Sequence, residues 1–338
     1  MIKCLILLFT LILYGQETLA CTINPDKNYF KYLKNLKVGR ISGQRILKID
    51  NKTYQLGGKK IKDCDLVFLN IPLENVLISS TTFWAFIKAI KATSNISGII
   101  DSKYIFNQND IKNITNFKTP LRLEFVLKHK VKNILSYQSG SKDLIGEGRI
   151  SKFNIVNIEI NEHKEDNPLK RLEWVKVFGL LFNKESESID HFNKVESDYL
   201  KHISKKKNLK KVLVGSFYNG SWFSPGINSY FANIIKDAGG KYLLQEKVLN
   251  IEKIIIKAKD AEIWFPHNNW IKLFRSDPQY RSLEGIFKID VYNFTNKVNE
   301  SGGIDIWENG ILYPNLILKE IQSIIKGNHS PIWYKKLH

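Results

Sequence analysis

The amino-acid sequence predicts an α/β protein with two similar lobes, each built on a mainly parallel sheet and joined by a long backbone helix. Two observations support this fold class. Apolar runs of strand type alternate with helical patterns in both halves of the chain, as they do in parallel α/β sheets. A stretch with helical periodicity, residues 167–207, separates the two halves. The 338 residues are too many for one ordinary core and suit two domains.

Residues 167–207 carry apolar side chains at three- and four-residue steps, which predicts helices with one apolar and one charged face. Pro168 stands where a first helical turn tolerates proline. A polar break at residues 184–186 divides the stretch into two helices, and we expect any bending to concentrate there and at Gly179. The alternative is two helices packed inside one larger domain. The apolar positions are Leu169, Leu172, Val175, Phe178, Phe182, Ile189, Phe192, Val195, Tyr199 and Ile203.

The first twenty residues have the pattern of a signal peptide. Lys3 precedes an apolar run of about a dozen residues, which suits a signal-peptide core and is too short to span a membrane. Cys21 follows Thr18-Leu19-Ala20 directly, which is typical of a lipoprotein acylated on that cysteine. Thr18 is unusual in this position, so plain cleavage after Ala20 is the alternative. We therefore expect an exported, periplasmic protein, held at the membrane by a lipid on Cys21.

The cysteine count is consistent with a lipid anchor. The chain has three cysteines, and Cys4 leaves with the signal peptide. If Cys21 is acylated, Cys64 is alone, which excludes a disulfide framework. We expect Cys64 to be an inert structural thiol.

The chain has a formal net charge of +18, which raises the question of nucleic acid or an anionic membrane as partner. The lysines are spread along the chain, however, and accompany abundant asparagine and isoleucine. These residue types share AT-rich codons, so a biased genome accounts for the charge. We expect no nucleic-acid partner.

The part of the chain before residue 167 predicts an N-terminal extension, residues 21–60, and an N-terminal α/β lobe, residues 61–166. In the extension, a turn at Asp50-Asn51-Lys52 joins two strands of a hairpin. In the lobe, Ser80 stands where it caps the first helix. The predicted strands of the lobe are 65–71, 76–79, 96–100, 131–137 and 156–160, and its helices are 83–92 and 121–129.

The same alternation of predicted strands and helices repeats in a C-terminal α/β lobe, residues 208–338. Gly239-Gly240 closes the first helix of this lobe, and Pro314 begins the last one. The predicted strands are 211–216, 261–265 and 291–294, and the helices are 227–237, 251–257 and 312–325.

One local correspondence supports the repetition of the two lobes. Glu124 and Glu252 each occupy the first turn of a helix that leads into a buried strand. A single acidic residue there is explained by the helix dipole, which it stabilises by a few tenths of a kcal/mol. Two glutamates at matching places favour a paired role.

The sequence offers little for catalysis, and we expect neither an enzyme nor a cofactor. It lacks the nucleophile-elbow, P-loop and dinucleotide-binding glycine motifs. None of its seven histidines forms an H-x-x-x-H pair or stands beside a cysteine, so a dedicated metal site is not expected.

Aromatic residues are dense just after several predicted strands. In α/β sheets, ligands bind outside the carboxyl ends of the strands, so two such lobes would face a shared ligand cleft. Walls of aromatic rings with a few polar groups suit a large, flat, partly polar ligand. The aromatic clusters lie at Phe83-Trp84, Phe217–Phe223, Trp264–Trp270 and Trp307.

Four segments of the chain resemble the helical-backbone class of ABC-transporter solute-binding proteins, the periplasmic carriers of ferric siderophores, haem and cobalamin. They read NPLKRLEWVKVFGLLFNKE, WFSPGINSYFANIIKDAGGKYL, KAKDAEIWF and KVNESGGIDIWENGILYPNLILKEI. The resemblance covers roughly residues 71–326, is strongest in the second lobe and is greatest to the lipoprotein members of the class.

The resemblance implies two α/β lobes joined by a long helix, with the ligand held between them. It also implies that Glu124 and Glu252 dock onto arginines of the two transmembrane subunits of an ABC permease. We expect a monomer that passes its ligand to that permease. Residues 128–132 depart from the family, which usually has a proline–aspartate turn there.

The candidate ligand contacts combine the aromatics with Arg171, whose guanidinium suits a carboxylate bidentately. Three rival interpretations remain open. They are a binding protein for free zinc or manganese, an exported chelatase-like enzyme using His267, and a structural interaction protein without a ligand. The candidate contacts are Phe83, Tyr104, Arg171, Trp174, Trp222, Tyr230, Trp264, His267, Trp270 and Trp307.

Overall fold

A computed structural model of the protein describes residues 21–137, 150–207, 209–266, 289–328 and 330–337. The described part of the chain begins with a five-stranded sheet in which the strands follow one another in sequence order. The predicted hairpin is confirmed, because Ile49 pairs with Lys52 across its turn. The last strand, residues 67–69, pairs in parallel with the fourth strand. It lies outside the predicted N-terminal extension, residues 21–60, so the sheet includes more of the chain than predicted. The strands are β1 (Asn24–Pro25), β2 (Leu36–Ile41), β3 (Gln44–Ile49), β4 (Lys52–Leu56) and β5 (Val67–Leu69).

The N-terminal lobe contains a parallel sheet with helices between its strands. Ser80 caps the first helix as predicted, since its hydroxyl accepts a hydrogen bond from the Thr82 N–H at 3.2 Å. The elements are β6 (Val76–Ile78), α1 (Thr81–Ala89), β7 (Ile96–Ile100), β8 (Thr115–Phe117), α2 (Leu123–Lys128), β9 (Asn133–Ser136) and β10 (Val156–Glu159).

Three helices connect the lobes: α3 (Pro168–Glu173), α4 (Val175–Leu181) and α5 (Glu185–His202). The side chain of Asn167 caps the first of them by accepting the Leu169 N–H at 2.9 Å. A Cβ on Gly179 would collide with the Ser188 side chain, so the glycine lets α4 pack closely on α5. The expectation that bending concentrates at Gly179 and at residues 184–186 stays a prediction.

The C-terminal lobe has a second main sheet and a small three-stranded antiparallel sheet formed by β12, β13 and β15. Its main sheet is parallel except for the last strand. The elements are β11 (Lys211–Val214), β12 (Ser216–Tyr218), β13 (Ser221–Phe223), α6 (Tyr230–Asp237), β14 (Lys241–Tyr242), β15 (Val248–Leu249), α7 (Ile251–Ala258), β16 (Ile263–Phe265), β17 (Asp290–Asn293), α8 (Asn309–Leu312), α9 (Pro314–Lys326) and β18 (Lys335–Lys336).

The two main sheets share one topology. The strand order is β10-β9-β6-β7-β8 in the first lobe and β14-β11-β16-β17-β18 in the second. When the second sheet is read from its other edge, four of its strands correspond in order to four strands of the first sheet. The strands β17, β16, β11 and β14 correspond to β10, β9, β6 and β7. The helices α2 and α7 then lead into equivalent strands, β9 and β16. The predicted fold class of two similar lobes is confirmed.

One apolar core runs through both lobes and the connecting helices, and it also takes in the N-terminal sheet. The buried carboxylate of Glu173 holds residues 31–33 against this core. Glu173 accepts the backbone N–H groups of Lys31, Tyr32 and Leu33 and is paired with the Lys176 ammonium at 2.9 Å. Within the described ranges, no helix is long and apolar enough to cross a membrane.

Candidate functional site

The topology locates a crevice at the carboxyl ends of the strands. In each main sheet the chain order reverses between two central strands, β6 and β9 in the first lobe and β11 and β16 in the second. Open α/β sheets bind ligands outside the carboxyl ends of the strands at this switch point. The chain leaves β10 at the same edge and enters α3 through a turn at Glu162–Lys164. The start of the connection therefore lies at this edge, and we call it the floor of the candidate site.

Arg171 and Tyr230 meet on this floor, one from the connection and one from the second lobe. The Arg171 guanidinium lies 5.9 Å from the centre of the Tyr230 ring. Each of the two residues is only 9% exposed. Within the described chain, Arg171 Nε and the Tyr230 hydroxyl are buried and have no hydrogen-bond partner. Buried donors are almost always satisfied in folded proteins, so these two donors need an explanation.

Glu162 holds the arginine in place. Arg171 Nη2 donates to Glu162 Oε1 at 3.2 Å. Burial raises the pKa of the Glu162 carboxyl, but the hydrogen bond with His163 and the charge of Arg171 together outweigh it and lower the pKa. Burial raises the pKa of the Tyr230 hydroxyl, and the positive Arg171 opposes this only in part. The site thus contains an ionised carboxylate, a guanidinium and a protonated phenol.

Other polar groups surround this pair. The rings of Tyr137 and His163 are in edge contact, with centroids 5.8 Å apart. Asn233 of the second lobe donates to the Asp166 carbonyl at 2.8 Å and ties that lobe to the floor. Among the described residues, no group of three or more His, Cys, Asp or Glu side chains is arranged to hold a metal ion.

Several aromatics predicted as ligand contacts are packed in the interior. Phe83 lies against Phe178 with ring centroids 5.8 Å apart and is fully buried. The Trp222 and Trp264 indoles donate to the carbonyls of Val214 and Gly215, at 3.3 and 2.9 Å. These three rings fill the core in this structure, and their prediction as cleft contacts is corrected to a packing role.

The remaining predicted contacts have mixed positions. Trp174 is buried and its indole donates to Glu165 at 3.1 Å, so it belongs to the packing of the connection. Tyr104 is exposed, and Trp307 is half-buried against Phe294, with ring centroids 5.5 Å apart. His267 and Trp270 lie outside the described residues. No contact tests the ligand roles of Tyr104 and Trp307, which stay predictions.

The hairpin of β12 and β13 presents two aromatics that belong to a cluster noted in the sequence but were not predicted as ligand contacts. Asn219 and Gly220 join the strands with φ values of 49° and 76°, as a type I′ turn requires. Phe217 pairs with Trp222, so both face the core, while Tyr218 and Phe223 face outward at 65% and 43% exposure. Asn-Gly between two aromatic runs is the strongest short-range signal for a hairpin, and it would have identified the outward pair.

Glu124 and Glu252 lie in the first turns of α2 and α7, as predicted. Both side chains are exposed. Throughout the described ranges, neither forms a salt bridge, although Lys257 on the same helix as Glu252 pairs with Glu246 at 2.8 Å. Their proposed role in docking remains a prediction.

Cys21 and Cys64 form a disulfide bond, with Cα atoms 5.7 Å apart. The prediction that Cys64 is an unpaired thiol is wrong in this structure, because folding brings it beside a residue 43 positions earlier. A sulfur atom in a disulfide cannot also carry the thioether of a lipid anchor. The two fates of Cys21 therefore exclude each other, and lipidation stays a prediction.

Sequence comparison finds one informative relative. No family model matches the chain. An uncharacterized lipoprotein of Methanocaldococcus jannaschii is 26% identical over 283 residues, which cover 76% of this chain. The match spans 66% of that relative, slightly under two thirds of its length.

Solved structures of similar shape are periplasmic binding proteins. One from Veillonella parvula has a TM-score of 0.57 at 12% identity and covers 88% of this chain and 99% of its own. A periplasmic haem-binding protein from Pseudomonas aeruginosa has a TM-score of 0.54 at 12% identity, with 79% and 98% covered. A Vibrio cholerae siderophore-binding protein holding Fe3+-Desferal has a TM-score of 0.52 at 15% identity, with 74% and 99% covered. The chain therefore has the helical-backbone fold of the periplasmic solute-binding proteins for iron, haem, siderophores and vitamin B12.

Proposed function

We propose that the protein is an extracytoplasmic solute-binding protein of an ABC importer, which captures an iron chelate, haem or a corrinoid between its lobes. The observation that best supports this proposal is the pair of buried, unpartnered donors on Arg171 and Tyr230. The fold is shared with binding proteins named for haem and for a ferric siderophore, which supports this class of ligand.

Different residues contribute hydrogen bonds and apolar contacts to the ligand. Arg171 Nε and the Tyr230 hydroxyl donate hydrogen bonds to an oxygen of the ligand, and Glu162 keeps the guanidinium oriented. The outward rings of Tyr218 and Phe223, on the hairpin that follows β11, offer apolar surface on which a macrocycle or catechol can stack. Holding a solute needs no reaction, so no catalytic group is assigned.

Delivery uses the outer surface of the lobes. Glu124 and Glu252 pair with arginines on the two transmembrane subunits of the permease. Exposed ion pairs of this kind set register and speed encounter more than they raise affinity. The protein acts as a monomer outside the cytoplasm, attached at its N-terminus if Cys21 carries a lipid.

Binding of haemin, ferric desferrioxamine and cobalamin, followed by tryptophan fluorescence, tests this proposal. We expect micromolar or tighter binding of one of them. The double variant Arg171→Met with Tyr230→Phe should weaken that binding at least tenfold, because two donors to the ligand are lost. Tyr54→Phe is the control, since Tyr54 is a buried tyrosine of the N-terminal sheet. Failure of all three chelates to bind would contradict the proposed class of ligand.

A further inference from the structure

We propose that a patch of six lysines on the C-terminal lobe binds the surface of an anionic lipid bilayer. Four of the lysines belong to the segment between α5 and β11, and the other two stand at the end of α6 and the start of β14. The inference does not depend on the ligand or on the permease. The lysine patch consists of Lys205, Lys206, Lys207, Lys210, Lys236 and Lys241.

Backbone contacts bring the two parts of the lysine patch together. The Lys241 N–H donates to the Lys210 carbonyl at 2.8 Å, beside the parallel pairing of β11 with β14. The Lys207 ammonium donates to the Lys236 carbonyl at 3.3 Å. Lysines that are well separated in the sequence therefore share one surface, which an even spread of lysines along the chain does not explain.

Little negative charge opposes the lysine patch. Five of its six lysines are exposed, and among the described residues none of the six forms a salt bridge. The adjacent Lys211 is already paired with Asp260 at 3.1 Å. Two other carboxylates lie beside the patch: Asp237 accepts the Tyr199 hydroxyl at 2.8 Å, and Glu262 accepts the Lys211 N–H at 2.9 Å. Six lysines against these two carboxylates leave a net positive charge on the surface.

An exposed leucine within the lysine patch favours a bilayer as the partner. Leu209 directly precedes Lys210 and is 40% exposed. An apolar side chain flanked by cations suits the boundary between anionic headgroups and acyl chains. Single-stranded nucleic acid favours aromatic rings as stacking platforms, and the sequence has none from Lys205 to Lys210 or from Lys236 to Lys241. Clusters of four to eight lysines are typical of surfaces that bind anionic lipid.

The lysine patch lies at the opposite end of the sheet from the candidate ligand site. Lys210 directly precedes β11 and Lys241 begins β14, so both stand at the amino ends of parallel strands. The candidate site lies at the carboxyl ends. A protein held on a bilayer through this patch therefore keeps its crevice accessible to the ligand. One lipid chain together with a polybasic patch attaches a protein stably, so the patch would also reinforce a lipid on Cys21.

Cosedimentation with lipid vesicles tests the proposal. The Cys21→Ser protein is the parent for these measurements, so that no lipid anchor contributes. We expect it to bind vesicles of phosphatidylcholine with about one-third phosphatidylglycerol at least tenfold more tightly than vesicles of phosphatidylcholine alone. About 0.5 M salt should abolish this binding, because it screens exposed charges. Equal binding to the two kinds of vesicle would overturn the proposal.

Reversing the charge of Lys205, Lys206 and Lys207 to glutamate should weaken binding to the anionic vesicles at least tenfold. The matched control reverses Lys59, Lys60 and Lys62, which are exposed residues of the loop after β4. It changes the net charge by the same amount outside the lysine patch, and we expect it to bind within about threefold of the parent. An equal loss in the two triple variants would show that net charge alone drives binding, and would overturn the assignment to the patch.

Leu209→Ser separates a bilayer from other polyanions. It should weaken binding to the anionic vesicles severalfold, because the apolar contact with the acyl region is lost, and leave retention on heparin unchanged. Fluorescence anisotropy with a labelled single-stranded DNA gives the second comparison, in which we expect no binding at the salt concentration where the vesicles bind. Tighter binding to the DNA than to the anionic vesicles, lost when Lys205, Lys206 and Lys207 are reversed, would assign the patch to nucleic acid and overturn the proposal.

Discussion

At the scale of single residues, unpartnered polar groups distinguish two of the buried residues among the predicted ligand contacts. Arg171 and Tyr230 were both predicted, and the fold brings them together with unpartnered donors. Phe83, Trp222 and Trp264 were predicted with equal reason and are packed inside. Large rings contribute most to stability when they are buried, so an aromatic near a strand end fills the core unless the local backbone turns it outward. Sequence position alone does not reveal that orientation.

Cys21 gives a prediction at the same scale. Because the structure bonds Cys21 to Cys64, we expect iodoacetamide to label Cys64 only after reduction. Mass spectrometry of the protein isolated from its native membrane measures this directly. Labelling of Cys64 without reduction, together with an acylated Cys21, would show that the lipid anchor is formed and the disulfide is not.

At the scale of elements, the hairpin of β12 and β13 has aromatic side chains on a buried face and on an exposed face. Alternation along a strand places Trp222 inward and Phe223 outward. We expect Tyr218→Ala with Phe223→Ala to weaken ligand binding severalfold while the midpoint of thermal unfolding stays within about 2 °C. Trp222→Ala should instead destabilise the protein by about 3–5 kcal/mol, because it leaves a cavity among buried rings.

Fluorescence titration with haemin and thermal unfolding of the same three proteins give both measurements. Loss of stability in the Tyr218 and Phe223 variant would mean that these rings pack in solution. Unchanged affinity in that variant would remove them from the ligand site.

Most of the elements were predictable because each has a strong local signal. The strand at Ile96–Ile100 and the helix beginning at Ile251 match the predicted boundaries, since a buried apolar run and a capped amphipathic pattern define them. The short strands β8 and β14 were missed, because too few residues carry a pattern. The partnership of Cys21 with Cys64 was missed because it depends on the pairing of distant strands.

At the scale of the whole molecule, the lobes are joined along one side of the crevice as well as by the connecting helices. The Thr82 hydroxyl donates to the Trp307 carbonyl at 2.9 Å, and Asn299 donates to the Ile105 carbonyl at 2.7 Å. Next to them, Glu308 of the second lobe accepts the Phe106 N–H of the first at 2.7 Å. These contacts supplement the connecting helices in limiting how far the lobes can separate.

Glu308 makes this interlobe contact dependent on pH. Burial raises the pKa of its carboxyl to about 8, with a smaller contribution from Asp305, while the hydrogen bond from Phe106 and the charge of Lys88 oppose the rise. The folded protein therefore keeps a proton that the unfolded chain releases above its ordinary pKa. Its free energy of unfolding should fall as pH rises from about 5 to 8, by a few kcal/mol at most.

Glu308→Gln should remove this dependence, because the amide keeps the acceptor for Phe106 but cannot ionise. Thermal unfolding at pH 5.5, 7 and 8.5 measures the effect, and we expect the variant to lose less stability than the unmodified protein across that range. Glu300→Gln, exposed in the same segment, is the control and should follow the unmodified protein. If Glu308→Gln and the unmodified protein show the same pH dependence, Glu308 is already ionised in the folded state. The interlobe contact would then hold equally from pH 5.5 to 8.5.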